Sequence, residues 1–275
     1  MSVAAREFVK MSGSGNDFVM VDARENPPGD LSRPDVIRAI CARGTGVGAD
    51  GIVFLLPSAR ADLRITYLNS DGSVGDLCGN ATLCTTRLAV RLGAADAKAM
   101  TIETGAGIIH SRILANGDPE IDLEEVIDVR PTADGIPALA TEGRIGFAKA
   151  GIPHLVIEVP DVGPVDVLTR GRPLRSHASL MPDGANVNFV APDPAGGWAM
   201  RTYERGVEGE TLACGTGAVA SAILIATWQR RHEPIALKTR SGRMLTVRLK
   251  PTTAGWLPSL SGEGRFVFEG RFGEL

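Results

Sequence analysis

A cysteine follows a polar, glycine-rich stretch in the second half of the chain. Residues 204–217 have the sequence Glu-Arg-Gly-Val-Glu-Gly-Glu-Thr-Leu-Ala-Cys-Gly-Thr-Gly. Cys214 is followed closely by a predicted helix over 218–231, in which small and apolar residues predominate up to Trp228. This run has no solvent face for more than two turns, which is typical of a short buried helix. Unpaired amides and the dipole at a helix start favour negative charge. Cys214 is therefore a candidate reactive thiolate, with a pKa below that of an ordinary thiol.

A second cysteine stands in the same kind of setting. Residues 69–81 form another acidic, glycine-containing stretch, which ends in Cys-Gly-Asn-Ala beginning at Cys78. The small-residue segment 82–92 follows, and Gly93 is a good residue to end a helix. Cys78 precedes Cys214 by 136 positions, about half of the 275 residues. We therefore predict an internal duplication that brings two helix-start thiols face to face.

Two such thiols could form a redox disulfide, or they could act as acid and base on opposite faces of one carbon. The flanking residues favour acid–base chemistry, because backbone amides at a helix start can bind a carboxylate. Removing the α-proton of an amino acid places negative charge on that carboxylate, and fixed donors stabilise the charge. The residues that would offer these amides are Gly79, Asn80, Gly215 and Thr216.

A guanidinium and a carboxylate open the second thiol stretch. Arg205 could bind a second carboxylate of the substrate with two hydrogen bonds, with Asn69 in the corresponding stretch of the first half. Glu204 could accept from a substrate ammonium group. Spacing alone leaves open the alternative that Glu204 and Arg205 form an ordinary surface ion pair.

Composition excludes several classes of protein. The net charge is −3 and no run of lysine or arginine occurs, so we expect neither a nucleic-acid nor a membrane-surface partner. No apolar segment reaches the roughly 18 residues that cross a bilayer, and residues 1–10 lack a signal core, so we expect a cytoplasmic protein. Four cysteines in a chain of this length do not form a disulfide framework. Without Cys-x-x-Cys or paired histidines, we predict no metal site.

Many short strands surround the two thiol segments. They predict an α+β fold of two pseudo-symmetric lobes, each a mostly antiparallel sheet wrapped around a central helix. The first lobe is predicted to hold residues 1–119 and about 263–275 with Cys78, and the second to hold residues 120–262 with Cys214. Strands are predicted at 7–11, 18–22, 52–56, 61–68, 100–103, 108–114, 120–123, 155–159, 186–190, 198–203, 235–239, 244–249 and 265–272, and a further helix at 33–43.

Three further features have ordinary structural explanations. Residues 46–51 match G-x-G-x-x-G, but they follow a predicted helix and open a strand, so we interpret them as a tight loop and not a dinucleotide site. Asn16 lies in a predicted turn. His154, next to Pro153, is most simply another turn residue. Taken alone, neither Asn16 nor His154 demands a functional role.

Together these motifs resemble the diaminopimelate epimerase family in order and over nearly the whole chain. The resemblance implies an epimerase that uses no cofactor, and therefore no pyridoxal phosphate, and that interconverts LL- and meso-diaminopimelate for lysine and peptidoglycan synthesis. It also implies the two-lobed fold and a homodimer. The matching stretches are residues 13–18, 69–73, 78–84, Pro153-His154, 186–189 and 204–217.

The resemblance also implies a role for each site residue. Cys78 and Cys214 correspond to the acid–base pair, and His154 and Glu204 to groups that tune the thiols. The residues around them correspond to the substrate-binding set, in which Gly79, Asn80, Gly215 and Thr216 hold the reacting carboxylate and Asn16, Asn69, Asn186, Glu204 and Arg205 bind the substrate, largely at its distal end.

Three positions depart from the family pattern. Ile152 stands where the family usually has an asparagine that binds the distal end, and Leu83 stands where it commonly has an arginine. The stretch 206–210 is one residue longer than the commonest form. Loss of one hydrogen bond to a charged group costs about 1.5–3 kcal/mol if nothing replaces it. A racemase or epimerase of another amino acid therefore remains an alternative. Apart from these departures, a thiol redox protein and a non-catalytic binding homologue are the alternatives from other classes.

Overall fold

The computed structural model describes residues 6–274; residues 1–5, part of the segment used to predict the location, and residue 275 lie outside this range. Four α-helices are present in it: α1 (Pro34–Cys41), α2 (Gly79–Arg91), α3 (Val167–Arg175) and α4 (Gly215–Gln229). Short 3-10 helices cover Gly29–Ser32 and Ala178–Leu180.

Eighteen strands make up the rest of the regular structure of residues 6–274. They are β1 (Glu7–Gly13), β2 (Asn16–Asp22), β3 (Gly51–Leu56), β4 (Leu63–Asn69), β5 (Val74–Gly75), β6 (Met100–Thr104), β7 (Gly107–Ile113), β8 (Pro119–Asp122), β9 (Val129–Arg130), β10 (Ile145–Ala150), β11 (Ile152–Glu158), β12 (Asn186–Pro192), β13 (Trp198–Glu204), β14 (Gly209–Thr211), β15 (Ile235–Lys238), β16 (Met244–Pro251), β17 (Trp256–Gly262) and β18 (Arg265–Arg271).

The chain divides into two compact units. Unit 1 comprises Met1–Ile121 and Ser261–Leu275, and unit 2 comprises Asp122–Leu260. Each unit holds one of the two cysteines that precede a helix, Cys78 in unit 1 and Cys214 in unit 2.

In unit 1, strands β1 to β4 form a sheet with a helix on each face. Alternation along the strands sends one set of side chains to each face. One set, which includes Val19 and Ile52, packs with Ile37 and Ile40 of α1. The other set, which includes Met20, packs with Ala81, Cys84 and Leu88 of α2. The sheet therefore separates α1 from α2.

In unit 2, strands β10 to β13 carry a core on the face toward α3. Leu155, Val187 and Phe189 from the strands pack there with Val167 and Leu174 of α3. Helix α4 packs on β10, β11, β12, β15 and β16, and its residues from Gly217 to Ala226 are all buried. This burial agrees with the all-round apolar sequence of α4.

The two units share one order of strand pairing. In unit 1, β1–β2 is antiparallel, β2–β3 parallel, β3–β4 and β4–β5 antiparallel, β4–β6 parallel and β6–β7 antiparallel. In unit 2, the strands β10 to β16 repeat this series in the same order. Helices α2 and α4 hold the same place in the two series, after β5 and after β14. The predicted internal duplication and α+β fold are confirmed.

Several local predictions need correction. His154 lies inside β11 and not in a turn, because Pro153 occupies the second position of that strand without breaking it. Helices α2 and α4 begin directly after their cysteines, three residues earlier than the apolar runs predicted. Helix α3 was missed because its sequence is polar and contains Pro173.

Candidate active site

Cys214 is the N-cap residue of α4 and its side chain satisfies part of the helix start. Its sulfur accepts a hydrogen bond from the Gly217 amide at 3.4 Å and lies 3.6 Å from Thr216 Oγ1. A Cβ on Gly217 would lie 2.4 Å from Asn188 Oδ1 and 3.1 Å from the Cys214 sulfur. Glycine at this position therefore allows the helix start to approach the sheet closely.

Cys78 holds the same position at α2. Its backbone angles, φ −126° and ψ 110°, nearly equal those of Cys214 at −138° and 109°. Cys78 is partly exposed, whereas Cys214 is buried. A close approach recurs here, since a Cβ on Gly13 would lie 2.7 Å from the Asn80 carbonyl oxygen. The prediction of one thiol at each helix start is confirmed.

In unit 2, the buried amide of Asn186 joins the second thiol to the arginine of the same stretch. Its Nδ2 lies 3.9 Å from the Cys214 sulfur, and its Oδ1 accepts from the Arg205 backbone amide at 2.8 Å. The Arg205 guanidinium donates to the Asp183 carbonyl at 2.7 Å. Glu204, the last residue of β13, directly precedes Arg205. The structure thus brings together Cys214, Asn186, Arg205 and Thr216.

In unit 1, a directed chain of hydrogen bonds reaches the first helix start. Asn16 Nδ2 donates to the Asp50 carboxylate at 3.0 Å, and Asn80 Nδ2 donates to Asn16 Oδ1 at 2.7 Å. A carboxylate only accepts, so Asp50 fixes the orientation of Asn16, and Asn16 in turn fixes that of Asn80. Arg43 donates to the other oxygen of Asp50 at 2.7 Å. Asn80 Oδ1 is left as a buried acceptor without a partner among the described residues.

Asn69, by contrast, is bonded within its own turn. Its Oδ1 accepts from the Tyr67 hydroxyl at 2.9 Å, and its Nδ2 donates to Ser73 Oγ at 3.0 Å. Of the predicted substrate-binding residues in unit 1, the structure brings Asn16 and Asn80 together, while Asn69 has its side chain engaged in the stretch that leads to Cys78.

Three buried polar residues of the unit 2 sheet, which we call the polar trio, form a network. They are His154, Asn188 and Thr202. Asn188 Nδ2 lies 3.2 Å from His154 Nδ1 and donates to the Leu155 carbonyl at 3.1 Å. Thr202 Oγ1 donates to Asn188 Oδ1 at 2.9 Å.

His154 is the titratable member of the polar trio. Burial, and to a lesser extent the charge of Arg205, lowers the pKa of His154 to about 3, so the imidazole is neutral near pH 7. Its Nε2 is buried and has no hydrogen-bond partner within residues 6–274. The polar trio, in the same unit as Cys214, therefore contains one buried nitrogen without a hydrogen-bond partner among residues 6–274.

The equivalent positions of unit 1, which we call the hydrophobic trio, are Phe18, Val53 and Tyr67. Phe18 is the third residue of β2, as His154 is of β11; Val53 is the third residue of β3, as Asn188 is of β12. Tyr67 pairs with Val53 as Thr202 pairs with Asn188. The Phe18 and Tyr67 rings meet edge to face at 6.0 Å, and the trio and Cys78 belong to the same hydrophobic cluster.

Sequence reasoning missed Asp50, Asn188 and Thr202 as parts of these networks. Asp50 lies in the stretch 46–51, which forms a loop that reaches β3 at Gly51, as predicted. Asn188 lies in the strand predicted at 186–190, where Asn186 and Asn188 alternate with apolar residues, and that alternation is the signal in the sequence. Thr202 gave none, because a threonine in a strand is ordinary.

Residues 6–274 contain no group of three or more His, Cys, Asp or Glu side chains that could hold a metal ion. None of the helices in this range combines the length and the apolar character that crossing a membrane requires.

The fold is shared with several solved structures. A PhzF-family phenazine biosynthesis protein from Bacillus anthracis superposes with a TM-score of 0.76 at 19% identity, covering 99% of both chains. A hydroxyproline epimerase from Agrobacterium vitis gives a TM-score of 0.67 at 18% identity, covering 98% of this chain and 91% of that one. These likenesses define a fold class that includes amino-acid epimerases.

Sequence comparison narrows the class to one family. The diaminopimelate epimerase family model matches residues 8–127 and 146–254. A diaminopimelate epimerase of Gemmatimonas aurantiaca is 50% identical over 98% of this chain and 99% of the relative. One from Aquifex aeolicus is 38% identical over 98% of both. This chain belongs to the diaminopimelate epimerase family, and the prediction of an isomerase is confirmed.

Proposed function

We propose that this chain interconverts LL- and meso-diaminopimelate, in lysine biosynthesis, with Cys78 and Cys214 as the acid–base pair. Family membership supports the reaction. The observation that carries the mechanism is that both cysteines are N-cap residues with nearly the same backbone angles at two buried helices. One unit built twice would supply one proton-transfer group for each face of a carbon.

In this mechanism the thiolate of one cysteine removes the α-proton and the thiol of the other donates its proton to the opposite face. The configuration of the carbon inverts, and the protonation states of the two sulfurs exchange. The intermediate carries its charge on the α-carboxylate. Backbone amides at the helix starts stabilise that charge, namely those of Gly79, Asn80, Gly215 and Thr216.

The remaining family positions bind the rest of the substrate. We assign Asn16, Asn69, Asn186, Glu204 and Arg205 to binding, largely of the distal amino-acid end, and His154 with Glu204 to the electrostatics of the thiols. Two of these assignments have support beyond the resemblance. Asn186 contacts both the Cys214 sulfur and the Arg205 amide, and Asn16 bonds to Asn80.

The proposal extends to organisation and place in the cell. We propose that units 1 and 2 are the two lobes of the enzyme, that the enzyme is a homodimer, and that it works in the cytoplasm without pyridoxal phosphate. All four cysteines are free, as expected in a reducing compartment. Light scattering during size-exclusion chromatography distinguishes a dimer of the 28.9 kDa chain from the monomer.

Ile152 keeps a second candidate open. It is the first residue of β11 and is partly buried. If its position contacts the distal end of the substrate, an apolar side chain there favours another amino acid. The same two-thiol reaction would then act on a different substrate.

Proton exchange in deuterated buffer tests the proposal, with reductant and no added pyridoxal phosphate. LL-diaminopimelate is assayed beside amino acids that carry a single carboxylate. We expect exchange and epimerisation of diaminopimelate alone. Exchange of another amino acid alone would keep the mechanism and move the substrate. Absence of exchange with every substrate would contradict the proposal and favour a redox or binding role.

A further inference from the structure

The buried amide of Asn188 has a fixed orientation. One of its two terminal atoms lies 3.1 Å from the Leu155 carbonyl oxygen, which can only accept, so that atom is the nitrogen. The other atom is the oxygen, and Thr202 Oγ1 donates to it at 2.9 Å. Reversing the amide would set two acceptors against each other at the Leu155 carbonyl.

The orientation of Asn188 determines which nitrogen of the His154 imidazole carries the proton. The Asn188 nitrogen carries two hydrogens, one directed to Leu155 and one available toward His154 Nδ1, 3.2 Å away. Nδ1 must then accept. A neutral imidazole has one donor and one acceptor nitrogen, so an accepting Nδ1 places the proton on Nε2.

We propose that Asn188 is a positioning residue that holds His154 in the neutral tautomer protonated on Nε2, so that the imidazole serves the reaction as a hydrogen-bond donor and not as a base. The catalytic part of this inference rests on the proposed function, whereas the tautomer does not. Nε2 is buried and lacks a partner among the described residues, which leaves its N–H available to an anion.

Two further observations connect Asn188 and His154 with the Cys214 thiol. Asn188 Oδ1 lies 2.4 Å from where a Cβ on Gly217 would stand, so the amide sits directly against the start of α4. The Gly217 amide donates to the Cys214 sulfur at 3.4 Å. His154 is also paired in register with Asn186, whose side chain reaches the same sulfur. Burial lowers the pKa of His154 to about 3, in agreement with a neutral ring.

The tautomer is measured directly on the whole protein labelled with ¹⁵N-histidine. Long-range proton–nitrogen spectra distinguish a protonated Nε2 from a protonated Nδ1, and the chain has only four histidines to assign. A His154→Gln variant identifies the signals of His154. We expect Nε2–H and an unprotonated Nδ1 near neutral pH. A proton on Nδ1, or an imidazolium ring, would overturn the inference without any assay of activity.

The variant Asn188→Asp replaces the donor that faces His154 Nδ1 with an acceptor, because a carboxylate can only accept hydrogen bonds. The proton of His154 should move to Nδ1, or the ring should become charged. We expect kcat for epimerisation to fall about 100-fold, within the range of acid–base effects, with little change in KM. Asn26→Asp makes the same chemical change at an exposed asparagine outside the site and is the matched control, expected to retain both the wild-type tautomer and the rate.

The two readouts separate the possible failures. A tautomer that stays on Nε2 in Asn188→Asp would contradict the role of Asn188. A tautomer that moves while kcat stays at the wild-type value would contradict the catalytic part. A correct tautomer in a protein that epimerises no amino acid would refute the proposed function and leave the assignment of the imidazole intact.

Discussion

Helices α2 and α4 begin with the same backbone geometry, yet different side chains support them. The hydrophobic trio belongs to the same cluster as Cys78, whereas the polar trio holds the same sheet positions in unit 2. At the first residues of the equivalent strands β2 and β11, the difference between the units has the opposite sign. Asn16 of unit 1 is polar, whereas Ile152 of unit 2 is apolar. Unit 1 therefore has its polar network at the first residue of β2, where Asn16 bonds to Asn80, and unit 2 has its polar network further along the strands, in the polar trio.

This difference teaches that a duplicated backbone does not imply two equivalent thiols. The network of unit 1 leaves a buried acceptor, Asn80 Oδ1, and the network of unit 2 leaves a buried donor nitrogen, His154 Nε2. A buried hydrogen-bond acceptor can bind a donor, whereas a buried hydrogen-bond donor can bind an acceptor. We expect the two halves to contribute unequally to binding and proton transfer, and we expect both thiols to be required.

The largest expected effect is the loss of either thiol. Cys78→Ala and Cys214→Ala should each lower epimerisation at least about 1000-fold, because each removes one proton-transfer group. Steady-state assays check this. Cys41→Ala is the control, since Cys41 is the last residue of α1, is buried in the core and should tolerate the change with nearly full activity. Retention of activity in either thiol variant would refute the two-thiol mechanism.

Giving unit 2 the character of unit 1 should have the next largest effect. The double variant His154→Phe/Asn188→Val replaces two hydrogen-bonding partners together with apolar groups. It also takes Asn188 away from the Thr202 hydroxyl and the Leu155 carbonyl, so we expect some loss of stability. We expect a folded protein with kcat lowered about 100-fold. His110→Phe, a change at an exposed histidine, is the control. Wild-type kcat in a folded double variant would show that the polar trio is only structural.

His154 should also make folding sensitive to acid, which the hydrophobic trio cannot. The pKa of His154 is about 3 in the folded protein and roughly 6.5 in the unfolded chain. The unfolded state therefore binds more protons between these values, and stability falls with decreasing pH by roughly 1.4 kcal/mol per unit. Urea unfolding of the wild type and His154→Phe from pH 7 to 4 measures this, and identical slopes would contradict it.

A smaller effect is expected from Asp50, which orients the network of unit 1. Asp50→Ala removes the acceptor that fixes Asn16, so Asn80 loses its defined orientation. We expect kcat/KM to fall about 10-fold, which corresponds to about 1.4 kcal/mol. Asp134→Ala, at an exposed site, serves as the control. If both variants have the same kcat/KM, the chain through Asn16 does not contribute.

The smallest perturbation is chemical labelling of the native protein. Cys78 is partly exposed, whereas burial raises the pKa of Cys41 to about 11 and also raises that of Cys84. Only thiolates react well with iodoacetamide. We expect Cys78 to be modified before Cys41 and Cys84 in a time course followed by peptide mass spectrometry. Equal rates would show that exposure and burial do not control reactivity here.

Much of the fold could be predicted from local patterns. The apolar run of α4, the glycine and asparagine stretches before each cysteine, and the alternating strands set the duplication and the thiol positions. Helix α3 could not be predicted, because it is stabilised by Val167 and Leu174 in a tertiary core and not by its own propensity.

The candidate site was only partly predictable for a related reason. Cys78 and Cys214 could be predicted because the helix-start motifs around them are local in sequence. The polar trio depends on strand register, which places His154, Asn188 and Thr202 together from three separate strands. Sequence spacing does not contain that register. From its sequence context alone, His154 therefore resembles a turn residue, and only the pairing of β11 with β12 places it beside Asn188.

The most direct test of the central claim follows the origin of the α-hydrogen in the first turnovers. Wild-type enzyme equilibrated in deuterated buffer is mixed with protiated LL-diaminopimelate, and substrate and product are separated early and analysed by mass spectrometry. Two thiols acting on opposite faces predict a meso product that carries deuterium at the inverted centre, while recovered LL substrate keeps its hydrogen. A product that retains the original hydrogen, or substrate that gains deuterium as fast as product forms, would contradict the account.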